Sequence, residues 1–189
     1  MASPQPKNAF LDELRSLAAA NVARTQGTFL ELDDAVLAWK PKPSEWNILE
    51  CFDHLNKTYD YYRTRIDRIL AGAPTADPVR DVYRPTRLGR VYMFFSFNPR
   101  FSFPAADSIA PATGLTRAVL DDFLTNQAAY RDLLDQVQQL DLTAARVPLE
   151  PRLWFNLGDC LKILPNHDHL HLGQAQRVLD AHTSQERIP

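Results

Sequence analysis

Apolar residues recur every three or four positions in four long stretches of the chain, the spacing of a helix with one buried face. The first stretch runs from about Asn8 to Leu37, with Phe10, Leu11, Leu14, Leu17, Val22, Phe29 and Leu30 on the stripe. Gly27 weakens this helix without ending it, and Pro41 and Pro43 close the element because proline cannot continue a helix. The second helix starts near Asn47. Asn47 and Glu50 match the two polar positions of a capping box, and Ile48, Phe52, Leu55, Tyr59, Tyr62, Ile66 and Leu70 follow on one face. The third stretch spans about Leu115 to Leu140, marked by Val119, Leu120, Phe123, Tyr130, Leu133, Leu134, Val137 and Leu140. The fourth begins at the cap Asn156, with Asp159 in its first turn, and reaches about Ala181. Pro165 lies inside it and predicts a kink near Leu161. No alternation is strong enough to make a sheet. Val147 to Phe155 is short, contains Pro148 and Pro151, and is extended at most. The pattern predicts an all-α protein built on four helices.

Residues 72–113 join the second and third helices through a long stretch rich in proline and aromatic residues. Its segment 87–104 holds five phenylalanines and one tyrosine, with a short helix expected around Gly89–Phe95. A loop this long inside one domain usually has a role. It covers one end of the helices, walls a pocket, or forms a dimer contact, since a large apolar patch is rarely left in water.

The chain has 189 residues, 45% hydrophobic and 23% charged, which suits one soluble domain spanning 1–189. A net charge of -2 argues against broad electrostatic binding to nucleic acid or to an anionic membrane. No run approaches a transmembrane span, and the N-terminus lacks a signal-peptide pattern, so a cytoplasmic location is expected. The two cysteines, Cys51 and Cys160, are too few for a disulfide framework and read as buried free thiols. Cys51 stands three residues before His54, on the same side of its helix.

Five histidines remain, and three of them crowd into NHDHLHLGQ (166–174). On a helix, positions four apart share a face. His167 and His171 form such a pair, while His169, two positions from each, points away. Two imidazoles one turn apart can grip one metal ion, and such a site needs a third protein donor. His54 is the best candidate. It is either an ordinary buried imidazole or, if its helix neighbours the last one, the third ligand inside the bundle. Gln174 shares the face of His167 and His171, so it either orients a ligand there or bonds between helices. Tyr61, seven residues after His54, is a candidate for the pocket border, and Cys51 for a position beside the ligands. Asp53 and Asp168 adjoin ligands in sequence but point about 100° away, as surface or helix-packing carboxylates. Trp46, before the cap, reads as a hydrophobic staple.

Two segments, KPKPSEWNILECFDHL (40–55) and LGDCLKILPNHDHLHLGQAQRVL (157–179), resemble the DinB-like metalloprotein superfamily, the DinB and YfiT-type group. The first is similar in its proline-containing turn, Trp, polar cap, acidic residue and following His-Leu. The second is similar in its His, three residues, His, then Leu-x-Gln order. The resemblance covers nearly the whole chain. It implies a four-helix bundle running up-up-down-down, with a long crossover between the second and third helices. It also implies a divalent metal held by His54, His167 and His171, with zinc or nickel the frequent occupants and iron or manganese also used. Homodimers are common in the group. Several relatives transfer small-molecule thiols such as bacillithiol, mycothiol or glutathione onto electrophiles, and one similar group isomerises maleylpyruvate. The expected function is therefore a metal-dependent thiol S-transferase; a metal-dependent hydrolase and a non-catalytic metal- or ligand-binding bundle are the alternatives. An open position on the metal would serve any of them.

Overall fold

The computed structural model describes residues 4–72, 80–97, 105–150 and 153–187. Among these residues six helices dominate: α1 (Lys7–Thr28), α2 (Asp34–Ala38), α3 (Ile48–Gly72), α4 (Arg87–Ser96), α5 (Ala118–Gln136) and α6 (Leu157–Glu186). The all-α expectation holds.

The first apolar stretch is broken, not continuous to Leu37. Phe29 caps α1 and turns fully inward, and Asp33 and Asp34 begin α2, where acidic residues suit a helix start. The capping box of α3 closes as its residue types require. The Asn47 amide donates to Glu50 Oε2 at 2.8 Å, and the Glu50 amide donates to Asn47 Oδ1 at 2.8 Å. At α6 the Asp159 amide donates to Asn156 Oδ1 at 2.7 Å. Pro165 leaves the Leu161 carbonyl without its usual helical donor. The Tyr130 hydroxyl fills that vacancy at 2.8 Å, and α6 continues through it.

The four long helices α1, α3, α5 and α6 pack side by side, with α3 and α1 each touching both α5 and α6. Named contacts give their directions. Arg15 of α1 meets Asp135 of α5, while Arg117 reaches Leu30, so these two run antiparallel. Phe52 meets Phe123 edge to face and Arg63 reaches Ala129, so α3 and α5 run parallel. The order is therefore up-down-down-up, which corrects the up-up-down-down expectation. The physical reason is the connection lengths: the short α2 passage reverses the chain, and the long segment between α3 and α5 carries it back to the end where α3 began.

Two small antiparallel sheets also correct the expectation of none. Strand β1 (Gln5–Pro6) pairs with β2 (Val82–Tyr83), and β3 (Arg146–Glu150) pairs with β4 (Leu153–Asn156). Pro148 is tolerated because each strand of a two-stranded hairpin is an edge. The part of the aromatic crossover beyond Phe97, with Phe101 and Phe103, lies outside the described residues.

The core divides in two along the helices. One apolar cluster holds Leu14, Tyr62, Leu133 and Leu161; the other holds Phe29, Phe52, Phe123 and Leu172. Between them the helices place buried polar side chains: Asn21 and Thr25 on α1, His54, Asn56 and Thr58 on α3, Gln127 on α5 and Asp168 on α6. A polar belt at this depth is costly unless its groups find partners. The histidines belong to it.

Asp159 latches the crossover onto α6. The fully buried Asp159 carboxylate accepts from the Tyr83 hydroxyl at 2.7 Å, the Thr86 hydroxyl at 2.6 Å and the Thr86 amide at 3.1 Å. Gly89 lets α4 approach so closely that any side chain there would overlap this carboxylate.

Candidate metal centre

His54 on α3 and His167 and His171 on α6 come together, each offering one ring nitrogen, with these atoms all within 4.8 Å of one another. The antiparallel packing of α3 on α6 brings them together. His169 is exposed on the opposite side of α6, as the helical spacing requires. His182 lies elsewhere, its ring 5.1 Å from that of Trp39.

Hydrogen bonds set the state of two rings. His54 Nδ1 lies 2.7 Å from the carbonyl oxygen of Ile109. A carbonyl only accepts, so this nitrogen carries the proton and Nε2 presents a lone pair. His171 Nδ1 lies 2.9 Å from Gln174 Oε1, which leaves its Nε2 as a lone pair too. His54 Nε2 and His167 Nε2 face each other at 3.3 Å. Two nitrogens each about 2.1 Å from a tetrahedral zinc stand about 3.4 Å apart. The donor set, and the spacing of this pair within it, therefore fit a divalent ion.

Burial strips all three rings of charge. Desolvation lowers the proton affinity of each. His167 falls well below the ordinary imidazole value, with His171 and His54 adding repulsion. His171 is pulled down to about 4, first by burial and then by His54. For His54 the Ile109 carbonyl partly opposes the effect of burial. Neutral imidazoles are the form that binds metal.

This has a consequence for the metal-free chain. Folding lowers the affinity of His171 for a proton from the ordinary 6.5 to about 4. Within that window the unfolded chain binds a proton that the folded site rejects. The contribution of His171 to stability is therefore fully present above pH 6.5 and is lost as the pH drops toward about 4. Thermal melts of metal-stripped chain should show this decline, with a shallower one in His171→Gln. Equal slopes for the two chains would contradict it.

A short backbone segment braces the site from the crossover side. Besides the Ile109 carbonyl on His54, the Lys57 ammonium donates to the Ala110 carbonyl at 2.8 Å, and Asp53 Oδ2 accepts the Ala112 amide at 2.8 Å. Lys57 and Asp53 are themselves paired at 2.9 Å. Groups that orient metal-binding histidines typically contribute about 10–100-fold to affinity. Lys57→Met acts one step removed from the ring and is expected to weaken zinc binding about tenfold, as measured by chelator competition. Unchanged affinity would show that the segment holds itself in place.

The other sequence candidates divide. Gln174 stands on His171. Trp46 lies over the site, its ring centroid 4.9 Å from that of His54 and 5.8 Å from that of His171, a closer role than a staple. Asp168 is buried, accepts from Gln127 at 2.8 Å, and joins α6 to α5 as a packing carboxylate. Cys51 is not among the grouped donors. It sits in the apolar cluster around Phe29, and burial pushes its thiol up to about 12. Tyr61 donates to the Leu149 carbonyl of β3 at 3.1 Å, so the hairpin holds its hydroxyl. The Ile109 carbonyl could not be found from the sequence, because backbone atoms carry no residue signal.

The profile of the DinB superfamily matches residues 16–175, a span that includes all three histidines. The chain belongs to the DinB superfamily. Neither the curated proteins nor the solved structures contain a match to it.

Proposed function

We propose that His54, His167 and His171 hold one divalent ion, zinc or nickel, inside a DinB-type four-helix bundle, and that the chain is a transferase moving a small-molecule thiol onto an electrophile. The observation that carries this reading is the donor set. Three neutral nitrogens converge, and no fourth protein donor joins them among the described residues. A set of three leaves a position for an exogenous ligand, whereas a structural site is closed by four. When bound, a divalent ion there lowers the pKa of a thiol or water that joins it.

The chain's own groups do the rest. The Ile109 carbonyl and Gln174 fix two tautomers, so each ring offers its lone pair without rearrangement. Trp46 lays its ring against two of the three imidazoles. Neither thiol of the chain is suited to attack. Cys51 and Cys160 are buried, and burial raises the pKa of both. The nucleophilic sulfur therefore comes from a substrate.

The test incubates zinc-loaded chain with glutathione, mycothiol or bacillithiol and monochlorobimane. The sulfur–carbon bond forms, chloride leaves and the thiol proton passes to solvent. The expected result is fluorescence growth above background with one of the thiols, lost in His171→Ala and kept in His169→Ala. No acceleration with any thiol would overturn the transferase reading.

A further inference from the structure

Helix α4 carries a group of exposed apolar side chains among the described residues. Among the described residues the exposed large apolar side chains are Leu88, Val91, Tyr92, Phe94, Phe95 and Trp154, and all but the last lie on this ten-residue helix. Phe94 is 62% exposed and Val91 54%. The inward side is accounted for: Gly89 seats against Asp159, and Met93 and Phe97 pack on the core cluster of α1, α3 and α6. At 100° per residue, positions 88, 91, 92, 94 and 95 share the remaining arc; Tyr92 packs its ring on Phe155 at 5.3 Å, while Leu88, Val91 and Phe94 stay exposed. Trp154 stands on β4, the strand that α4 packs against, with Arg146 over its ring at 4.2 Å. Exposed apolar side chains gathered in this way mark a contact surface.

Charge indicates the occupant. Residues 82–97 hold three arginines, Arg84, Arg87 and Arg90, and no carboxylate, in a chain with 23 acidic residues. None of the three arginines has an acidic partner among the described residues. Arg87 lies seven positions before Phe94, and so on the same side of the helix; Arg90 lies four before it. A second copy of the chain would set this face on itself, arginine against arginine, because a two-fold interface repeats the same patch. An anionic bilayer surface offers headgroup charge to the arginines and an acyl boundary to Leu88, Val91 and Phe94. Helices that lie in that plane carry cationic residues beside Phe and Leu in this way.

We propose that α4 docks the protein on an anionic lipid surface, lying on it. No helix among the described residues is long and apolar enough to cross a membrane. The overall charge of -2 opposes long-range attraction, so the contact is local and short-ranged. This inference is independent of the histidine site.

Co-sedimentation of the full chain with vesicles tests it. Binding is expected to phosphatidylcholine–phosphatidylglycerol vesicles and not to phosphatidylcholine alone. Arg87→Gln should weaken it about fivefold, since each cation near such a surface contributes on that scale. The double change Val91→Ser with Phe94→Ser should abolish it. Both side chains are more than half exposed, so the fold should keep its melting temperature. No binding to the anionic vesicles, or binding indifferent to these substitutions, would overturn the proposal. So would analytical ultracentrifugation showing a dimer that the double change turns into a monomer, since the face would then be buried between copies.

Discussion

Zinc should raise the melting temperature of this chain by about 10 °C at a free concentration a thousand-fold above its Kd, and should do nothing for His171→Ala. A ligand that binds only the folded state stabilises it by about 4 kcal/mol at that excess. For a chain of this length each kcal/mol corresponds to about 2–4 °C. The variant has two of the three donors and loses tight binding. His171 packs against His54, His167 and Trp46, so the comparison is made on the shift that zinc produces in each chain and not on the starting melting temperatures. Differential scanning calorimetry with and without zinc, repeated with a chelator, reads this directly. His169→Ala should behave as wild type, because that ring is exposed on the other side of α6. An equal zinc response in His171→Ala would mean the ion sits elsewhere.

Asp159→Ala should be the most destabilising single substitution at the crossover, by about 3 kcal/mol, with a fall in melting temperature of about 10 °C. The carboxylate is fully buried and serves two hydroxyls and one amide. Removing it leaves the Tyr83 and Thr86 donors facing apolar surroundings, each at a cost of about 1–3 kcal/mol. The Asn156 cap is unaffected, since it bonds the Asp159 amide and not its side chain. The damage should be local. Proteolysis between α3 and α5 should accelerate as α4 comes free of α6, while zinc affinity stays close to wild type. Asp159→Asn keeps an acceptor and should lose less. A variant with unchanged melting temperature and protease resistance would show that other contacts hold the crossover.

The two predictions divide the molecule as the sequence did. Where a residue acts on its own helix, its type and spacing were enough. Asn47 with Glu50, and Asn156 with the Asp159 amide, marked two helix starts to the residue. The four-residue step separated His167 and His171 from His169. What lay outside local reach was less readable. Asp159 looked like a first-turn acid, and nothing nearby in sequence shows that Tyr83 and Thr86 bond to it. Tyr61 does follow His54 by seven positions, but that is two turns, about 10.5 Å along the axis, which brings it to the hairpin. Cys51 is three before His54 and faces the apolar cluster. The break between α1 and α2 carries no proline, and arises because Phe29 is drawn into the core. The β3–β4 hairpin escaped because prolines interrupt its alternation. Helix direction depended on how the long crossover returns, which no local periodicity encodes.

The polar belt shows why a metal suits this core. Nature rarely buries neighbouring imidazoles without giving their lone pairs something to bind. Here two rings are held by oxygen acceptors at Nδ1, and their other nitrogens turn toward the third. His167 Nδ1 has no partner of its own, and burial keeps that ring neutral.

X-ray absorption at the metal edge of the zinc-loaded chain tests the central claim most directly. Three imidazole nitrogens per ion are predicted in the wild type, together with lighter non-histidine scatterers in the remaining positions. The imidazole count should fall to two in His54→Ala and stay at three in His169→Ala. A protein that binds no ion, or an imidazole count that His54→Ala leaves unchanged, would contradict it.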